Sequence, residues 1–306
     1  PKPSSAASDV YKRQLHMSSL KGIVAFFLLV INTLFWCVFL LTIAILKLLL
    51  PIQSWKRTCT KLIINIGECW IYCNGLWIKL LHRPAWTIDG FESLDQSDWY
   101  LSVANHQSWA DIFVLQGITN RKIPMLKFFM KHVLIWVPVI GLAWWALDMP
   151  FLKRYTKEQL EKNPQLRGKD IKAMEKSFDR FSRYPVSIFS FAEGTRFSVK
   201  KKTDQMSNYK NLLNPRSGGI GLTLTTMPYI RMLLDFTIYY EGSKRTFWDF
   251  LCGRMSDVTI KVKQIKIPDN LLGRNYEEDI KFREDLKEWI EGLWLEKDNY
   301  IEEIKG

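Results

Sequence analysis

The hydrophobic and polar positions of this chain fall into three regimes. Residues 23–46 carry no charge. At about 1.5 Å rise per residue such a helix is roughly 36 Å long, enough to cross the ~30 Å hydrocarbon core of a bilayer with some tilt. Residues 55–82 place Leu62, Ile63, Ile66, Trp70, Leu76, Trp77, Leu80 and Leu81 at helical spacing, interrupted by Glu68, Asn74 and Lys79. Those polar residues make a second full span costly. The pattern predicts an amphipathic helix in the membrane interface, with Trp55, Trp70 and Trp77 near head-group depth; an ordinary core helix fits the same periodicity equally well. From about Arg83, β-rich runs at 86–88, 99–104, 186–191, 236–240 and 258–262 alternate with helix-compatible stretches at 108–116, 126–145 and 169–183. Such alternation predicts an α/β fold, a sheet flanked by helices. Residues 276–304 set Ile280, Phe282, Leu286, Trp289, Ile290, Leu293 and Trp294 against a dense charged face, which reads as a terminal amphipathic helix.

Four segments follow from this pattern. Residues 1–16 are polar, rich in Ser and Ala, and are set aside as a tail foreign to the fold or disordered, with Met17 as the natural start. Residues 17–50 form a transmembrane anchor, 51–82 the interfacial amphipathic helix, and 83–306 one catalytic-sized domain. A cleaved signal peptide competes for the first apolar run, but about 24 apolar residues exceed its usual 7 to 15, and no small-residue cleavage site follows. Lys47, Lys56, Arg57 and Lys61 come just after the span while Lys21 alone immediately precedes it. The positive-inside rule then puts the bulk of the chain on the cytoplasmic face of a single-pass arrangement, the inner membrane if the cell is bacterial.

Composition sharpens this picture. A chain of 306 residues with 47% apolar content can build a sizeable core. The net charge of +12 calls for an anionic partner. Nucleic acid is one such partner, but no recognition motif for it is visible, and thirteen Trp favour a membrane interface. The five cysteines are odd in number, with Cys37 inside the apolar run, so no disulfide framework is implied. Cys69 and Cys73 have helical metal-ligand spacing but nothing completes a site, and they read as structural thiols. Lys200-Lys201-Lys202 reads as a solvated loop.

Candidate chemistry sits at two strand ends. Asn105-His106-Gln107-Ser108-Trp109-Ala110-Asp111 follows the apolar run 101–104. On one continuous helix His106 and Asp111 would point about 140° apart. They meet only if His106 lies in the turn before a helix and Asp111 in its first turn. Ser108 is a plausible N-cap, and Ser108-x-x-Asp111 also resembles a capping box that needs no catalysis. Glu193-Gly194-Thr195-Arg196 follows the strand-like run 186–191, where α/β sheets present their ligands. The planar guanidinium of Arg196 suits a phosphate, since it can donate two parallel hydrogen bonds.

These residues resemble the glycerolipid acyltransferase family, the 1-acyl-glycerol-3-phosphate (lysophosphatidic acid) acyltransferases and their bacterial inner-membrane relatives. Asn105 to Asp111 matches the family's first block, Asn-His, four residues, Asp. The second resembles Lys127-Phe128-Phe129-Met130-Lys131 through Trp136-Val137-Pro138-Val139-Ile140-Gly141 to Phe151-Leu152-Lys153-Arg154, and the third is Phe191-Ala192-Glu193-Gly194-Thr195-Arg196-Phe197-Ser198. The fourth block departs: Leu234-Asp235-Phe236-Thr237-Ile238-Tyr239 lacks the proline of many members. The resemblance implies transfer of a fatty acyl group from acyl-coenzyme A or acyl carrier protein to a lysophospholipid hydroxyl in a membrane, with no cofactor or metal and no nucleic-acid partner. It implies His106 as general base and Asp111 as its orienter. Arg196, with Lys127 and Arg154, would hold the acceptor phosphate beside Gly194 and Thr195, and Glu193 would orient Arg196 or a substrate hydroxyl. An acyltransferase or transacylase for another lysophospholipid head group is the alternative among enzymes, and a membrane-anchored lipid-binding or scaffolding protein is the reading from another class.

Overall fold

In a computed structural model, residues 5–152, 181–242, 245–255 and 257–306 are described, with Lys162, Asn163, Glu175 and Phe178 between them. Most of the helix expected over 169–183 lies outside the described residues, as do Lys153 and Arg154.

Helix α1 (Ser5–Leu49) begins within the stretch set aside as a tail and contains the charge-free run. Residues 16–49 are the one segment among those described that is long and apolar enough to cross a membrane. Helix α2 (Gln53–His82) folds back along it. Cys59, Ile63, Gly67, Ile71, Asn74 and Ile78 recur every three or four positions and are buried, the stripe expected of an amphipathic helix. The polar residues inside the pair answer each other: Asn32 Nδ2 donates to Asn74 Oδ1 at 2.9 Å and to the Trp70 carbonyl at 3.0 Å. Trp77 is in the core, its indole N–H donating to Asn74 Oδ1, so it does not sit at head-group depth. Arg83, at φ 47°, ends the helix, and Pro84 prevents its continuation.

Six strands form the main sheet: β1 (Ala85–Asp89), β2 (Tyr100–Ala104), β3 (Leu126–Phe128), β6 (Ser187–Phe191), β7 (Met232–Tyr240) and β8 (Asp257–Lys266), in the order β1-β8-β7-β2-β6-β3. Only β7 and β8 pair antiparallel. Strands β4 (Met130–Lys131) and β5 (Phe151–Leu152) pair separately. Helix α3 (Ala110–Thr119) follows β2 and α4 (Ile140–Ala146) precedes β5; α5 (Val199–Asp204) and α6 (Gly218–Thr226) come after β6. Helix α7 (Phe247–Leu251) separates β7 from β8, and α8 (Ile280–Lys305) ends the chain.

The run 126–145 is therefore not one helix: β3 and β4 open it, a 3-10 helix spans His132–Trp136, and α4 takes its last residues. Continuous apolar stretches fit a buried strand as well as a helix, and Pro138 holds Val137 extended. Val139 then takes φ 62°, unusual for a β-branched residue, and α4 starts only after it.

Side-chain alternation gives the sheet two cores. Leu101, Val103, Ile188 and Leu233 face α6 and α8, which bring Ile220, Leu224, Phe282, Leu286, Ile290 and Trp294. Each such side chain contributes about 1.5–3 kcal/mol on burial. Tyr100, Ala104, Phe189, Leu234, Phe236 and Ile238 face α3 and α7, together with Ala25 of α1 and Trp77 of α2. On the α8 face Lys297, fully buried, donates to Asp235 Oδ1 and the Phe236 carbonyl, both at 2.6 Å. All five cysteines are free; Cys37, Cys59 and Cys252 are buried, and Cys69 and Cys73 half-buried.

Candidate active site

Strand β2 ends in the middle of the sheet, between β7 and β6. Its last turn is shaped by Asn105, whose buried amide donates to the Ile238 carbonyl and accepts from the Ile238 N–H, both at 2.8 Å. The side chain thus extends the β2–β7 ladder while the backbone leaves it. A proline at 238 would have no N–H for this bond.

His106 lies in that turn and Asp111 in the first turn of α3, and the two side chains meet. His106 Nδ1 is 2.9 Å from Asp111 Oδ2. The same oxygen accepts the backbone N–H groups of Gln107 at 2.7 Å and Ser108 at 3.0 Å, so Asp111 both orients the imidazole and reaches back as a capping residue does. Ser108 is only partly the N-cap the spacing suggests: its Oγ accepts the Ala110 N–H and donates to the Arg245 carbonyl, while Trp109 occupies the cap position. The other carboxylate oxygen, Oδ1, accepts from the Tyr240 hydroxyl at 2.7 Å. Burial, and Asp111 beside it, push the Tyr240 phenol well above its ordinary range, so it stays a donor. The imidazole stacks on Phe191, with ring centroids 3.8 Å apart, and is 8% exposed. With Nδ1 held, Nε2 has no hydrogen-bond partner among the described residues.

Glu193 does not point at Arg196. It is completely buried, with Oε2 accepting the His106 N–H at 3.3 Å and Oε1 the Leu213 N–H at 3.2 Å. Burial pushes its carboxyl up to about 8, against the downward pull of those two N–H groups and of Lys297. Its part is to fix the backbone under the imidazole. Gly194, at φ +68°, turns the chain outward where a side chain would be strained.

Arg196 is exposed, its guanidinium 4.8 Å over the Trp109 ring, and Trp109 meets His106 edge-on. The Phe197 N–H donates to the His106 carbonyl at 2.7 Å, tying this turn to the first block. Lys201 is not a solvated loop residue. It lies in α5, and its ammonium donates to Thr195 Oγ1 at 2.7 Å and to the Arg196 carbonyl at 2.9 Å.

Lys127 is not brought to this site. It is in register with Ile188 on β6, which faces away from Phe189 and Phe191 where the imidazole stacks. Its ammonium is buried and donates to the Leu147 carbonyl at 2.6 Å, and burial lowers it to about 8. Arg154 lies outside the described residues. Tyr240, Lys201 and Arg245, which donates to Gln107 Oε1, are the neighbours that sequence reasoning misses. Tyr240 is separated from Asp111 by 129 positions, and only the fold joins them.

An acyltransferase family model matches residues 86–230, which contain both blocks. The 1-acyl-sn-glycerol-3-phosphate acyltransferase delta of Homo sapiens is 26% identical over 190 residues, 58% of this chain and 45% of the relative. The protein of the same name from Bos taurus is 25% identical over the same span. The chain thus spans under half the length of these curated relatives. The crystal structure of the 1-acyl-sn-glycerophosphate (LPA) acyltransferase PlsC from Thermotoga maritima superposes with a TM-score of 0.57 at 16% identity. That match covers 96% of this chain and 98% of the other, so the fold is shared nearly end to end. The domain built on the His106 and Glu193 turns is thus similar in sequence and in fold to the glycerolipid acyltransferases.

Proposed function

We propose that the chain moves a fatty acyl group from a thioester, acyl-coenzyme A or acyl carrier protein, to the free hydroxyl of lysophosphatidic acid or a related lysophospholipid. The observation that carries this reading is the His106–Asp111 pair at 2.9 Å, with Nε2 left unbonded among the described residues. Nε2 takes the hydroxyl proton as the hydroxyl oxygen attacks the thioester carbonyl. The new C–O bond forms, the C–S bond breaks, and the thiolate collects the proton from the imidazolium. Asp111 stabilises that imidazolium and holds the tautomer with its proton on Nδ1. A thiolate is already a good leaving group, so the step needs no acyl-enzyme. Arg196 holds the acceptor phosphate through its guanidinium fork, steadied by Trp109 and Lys201.

The substrate reading draws on the names of the relatives and the membrane reading on α1. Ile23, Phe27, Ile31, Phe35 and Val38 line an exposed apolar stripe on α1. Val133, Trp136, Leu142 and Trp145 add apolar surface around α4, which packs on the same helix. The opposite side of α1 is held by the domain at both ends. Ser18 Oγ accepts from Arg254 at 3.3 Å, and Lys47 pairs with Asp148 at 3.4 Å. About 29 residues at 1.5 Å each put those contacts roughly 40 Å apart. Apolar on its outward side over that length and packed by the domain on the other, α1 is the element that sets the chain in the membrane.

The test is an acyl-transfer assay on the full chain in detergent micelles, offering lysophosphatidic acid with each thioester in turn. New phosphatidic acid with either donor supports the reading. Binding of the lipid without turnover favours a lipid-binding protein.

A further inference from the structure

Between α5 and α6 the chain carries a cation that none of the matched blocks contains. Residues 210–216 run against the Glu193 turn and are fixed there by four hydrogen bonds. Asp298 of α8 accepts the N–H groups of Lys210 at 2.6 Å and Asn211 at 2.8 Å. The Leu213 N–H goes to Glu193, and the Arg216 N–H to the Ala192 carbonyl at 2.7 Å. All three acceptor residues are buried. The backbone of Arg216 is therefore placed, not left to solvent.

The Arg216 side chain then lies along Gly194. A Cβ added there would stand 3.1 Å from Arg216 Cδ, 3.2 Å from Nε and 3.4 Å from Cζ. Glycine at 194 thus serves the turn and also leaves room for a guanidinium. Arg196 reaches the same turn from the α3 side, over Trp109, and Arg216 from the α6 side. Both arginines are exposed, and neither forms an ion pair with a described residue.

We propose that Arg216 is a second phosphate-binding residue which, with Arg196, makes the acceptor site select a phosphate monoester over a phosphodiester. This rests on the acyl-transfer reading above. One guanidinium fork occupies two phosphate oxygens. A monoester has a third terminal oxygen and a charge of about −1.5 to −2 at pH 7, whereas a diester has neither. A second guanidinium across the turn meets that third oxygen and second charge on the monoester, and only oxygens already engaged by Arg196 on the diester.

The experiment uses the full chain in detergent with acyl-coenzyme A and two acceptors, 1-acylglycerol 3-phosphate and its phosphate monomethyl ester. Affinities are read as KM, or as Ki where turnover of the ester is slow. In Arg216→Gln the preference for the monoester falls by about 10- to 100-fold, through the acceptor constant, with the donor KM unchanged. Arg216→Lys keeps part of the preference, because charge remains without the fork. Thermal melting of each variant is followed in parallel. An unchanged preference in a folded Arg216→Gln protein overturns the proposal, as does a rise in donor KM alone. Wild-type protein that acylates neither acceptor instead overturns the acyl-transfer reading itself.

Discussion

The Tyr240 hydroxyl donates to Asp111 Oδ1 at 2.7 Å, joining the last residue of β7 to the first turn of α3 across the face of the sheet. With Gln107, Ser108 and His106 on the other oxygen, the carboxylate receives four donors and is completely buried. Its orientation is therefore set before any substrate arrives.

Tyr240→Phe removes one of those four bonds and adds no bulk. A hydrogen bond to a charged group contributes about 1.5–3 kcal/mol, so the variant is expected to lose that much stability by denaturant titration. Turnover is expected to persist within about tenfold of wild type, because the Nδ1 contact remains. Unchanged stability would mean that the phenol bond does not hold the carboxylate.

Glu193 gives a pH signature. Its carboxyl titrates near 4.5 when exposed and near about 8 in the fold, so the folded state holds the proton more tightly. The stability this group supplies is complete below about pH 4.5 and is lost as pH rises through about 8. Glutamine does not titrate. The stability of wild type relative to Glu193→Gln should therefore fall between about pH 5 and 9, by on the order of 2–5 kcal/mol. A flat or rising difference would contradict the burial argument.

How much of this was legible in the sequence depended on how local the interaction is. The turn that joins His106 to Asp111 follows from five consecutive positions between a strand and a helix, and the structure forms it. The ends of the chain were legible through periodicity: the buried stripes of α2 and α8 recur at helical spacing. The run 126–145 was not, since from Val133 onward its aromatic and aliphatic residues have no polar interruption and carry no period. Lys127 misled for a related reason: a lysine on a buried strand looks like a free cation until its carbonyl partner at Leu147 is seen. Glu193 and Lys201 act through contacts with loops and backbone, and Arg216 is placed by one, which residue type alone does not reveal.

Lys201 offers a test of the phosphate turn that leaves the base untouched. Lys201→Met removes the ammonium that braces Thr195 and the Arg196 carbonyl. Acceptor KM is expected to rise roughly three- to tenfold, less than the loss of one charged hydrogen bond because the ammonium acts on the phosphate only through the turn, with kcat nearly constant. A fall in kcat at constant KM would move Lys201 from the phosphate turn to the chemical step.

The proposed acyl transfer depends on His106 as the base. The most direct measurement is turnover of lysophosphatidic acid with a thioester donor by His106→Ala, beside wild type and with thermal melting of both. With His106 as the base, the variant loses about 10²- to 10⁴-fold in turnover while still melting cooperatively. Near-normal turnover in the folded variant would contradict it.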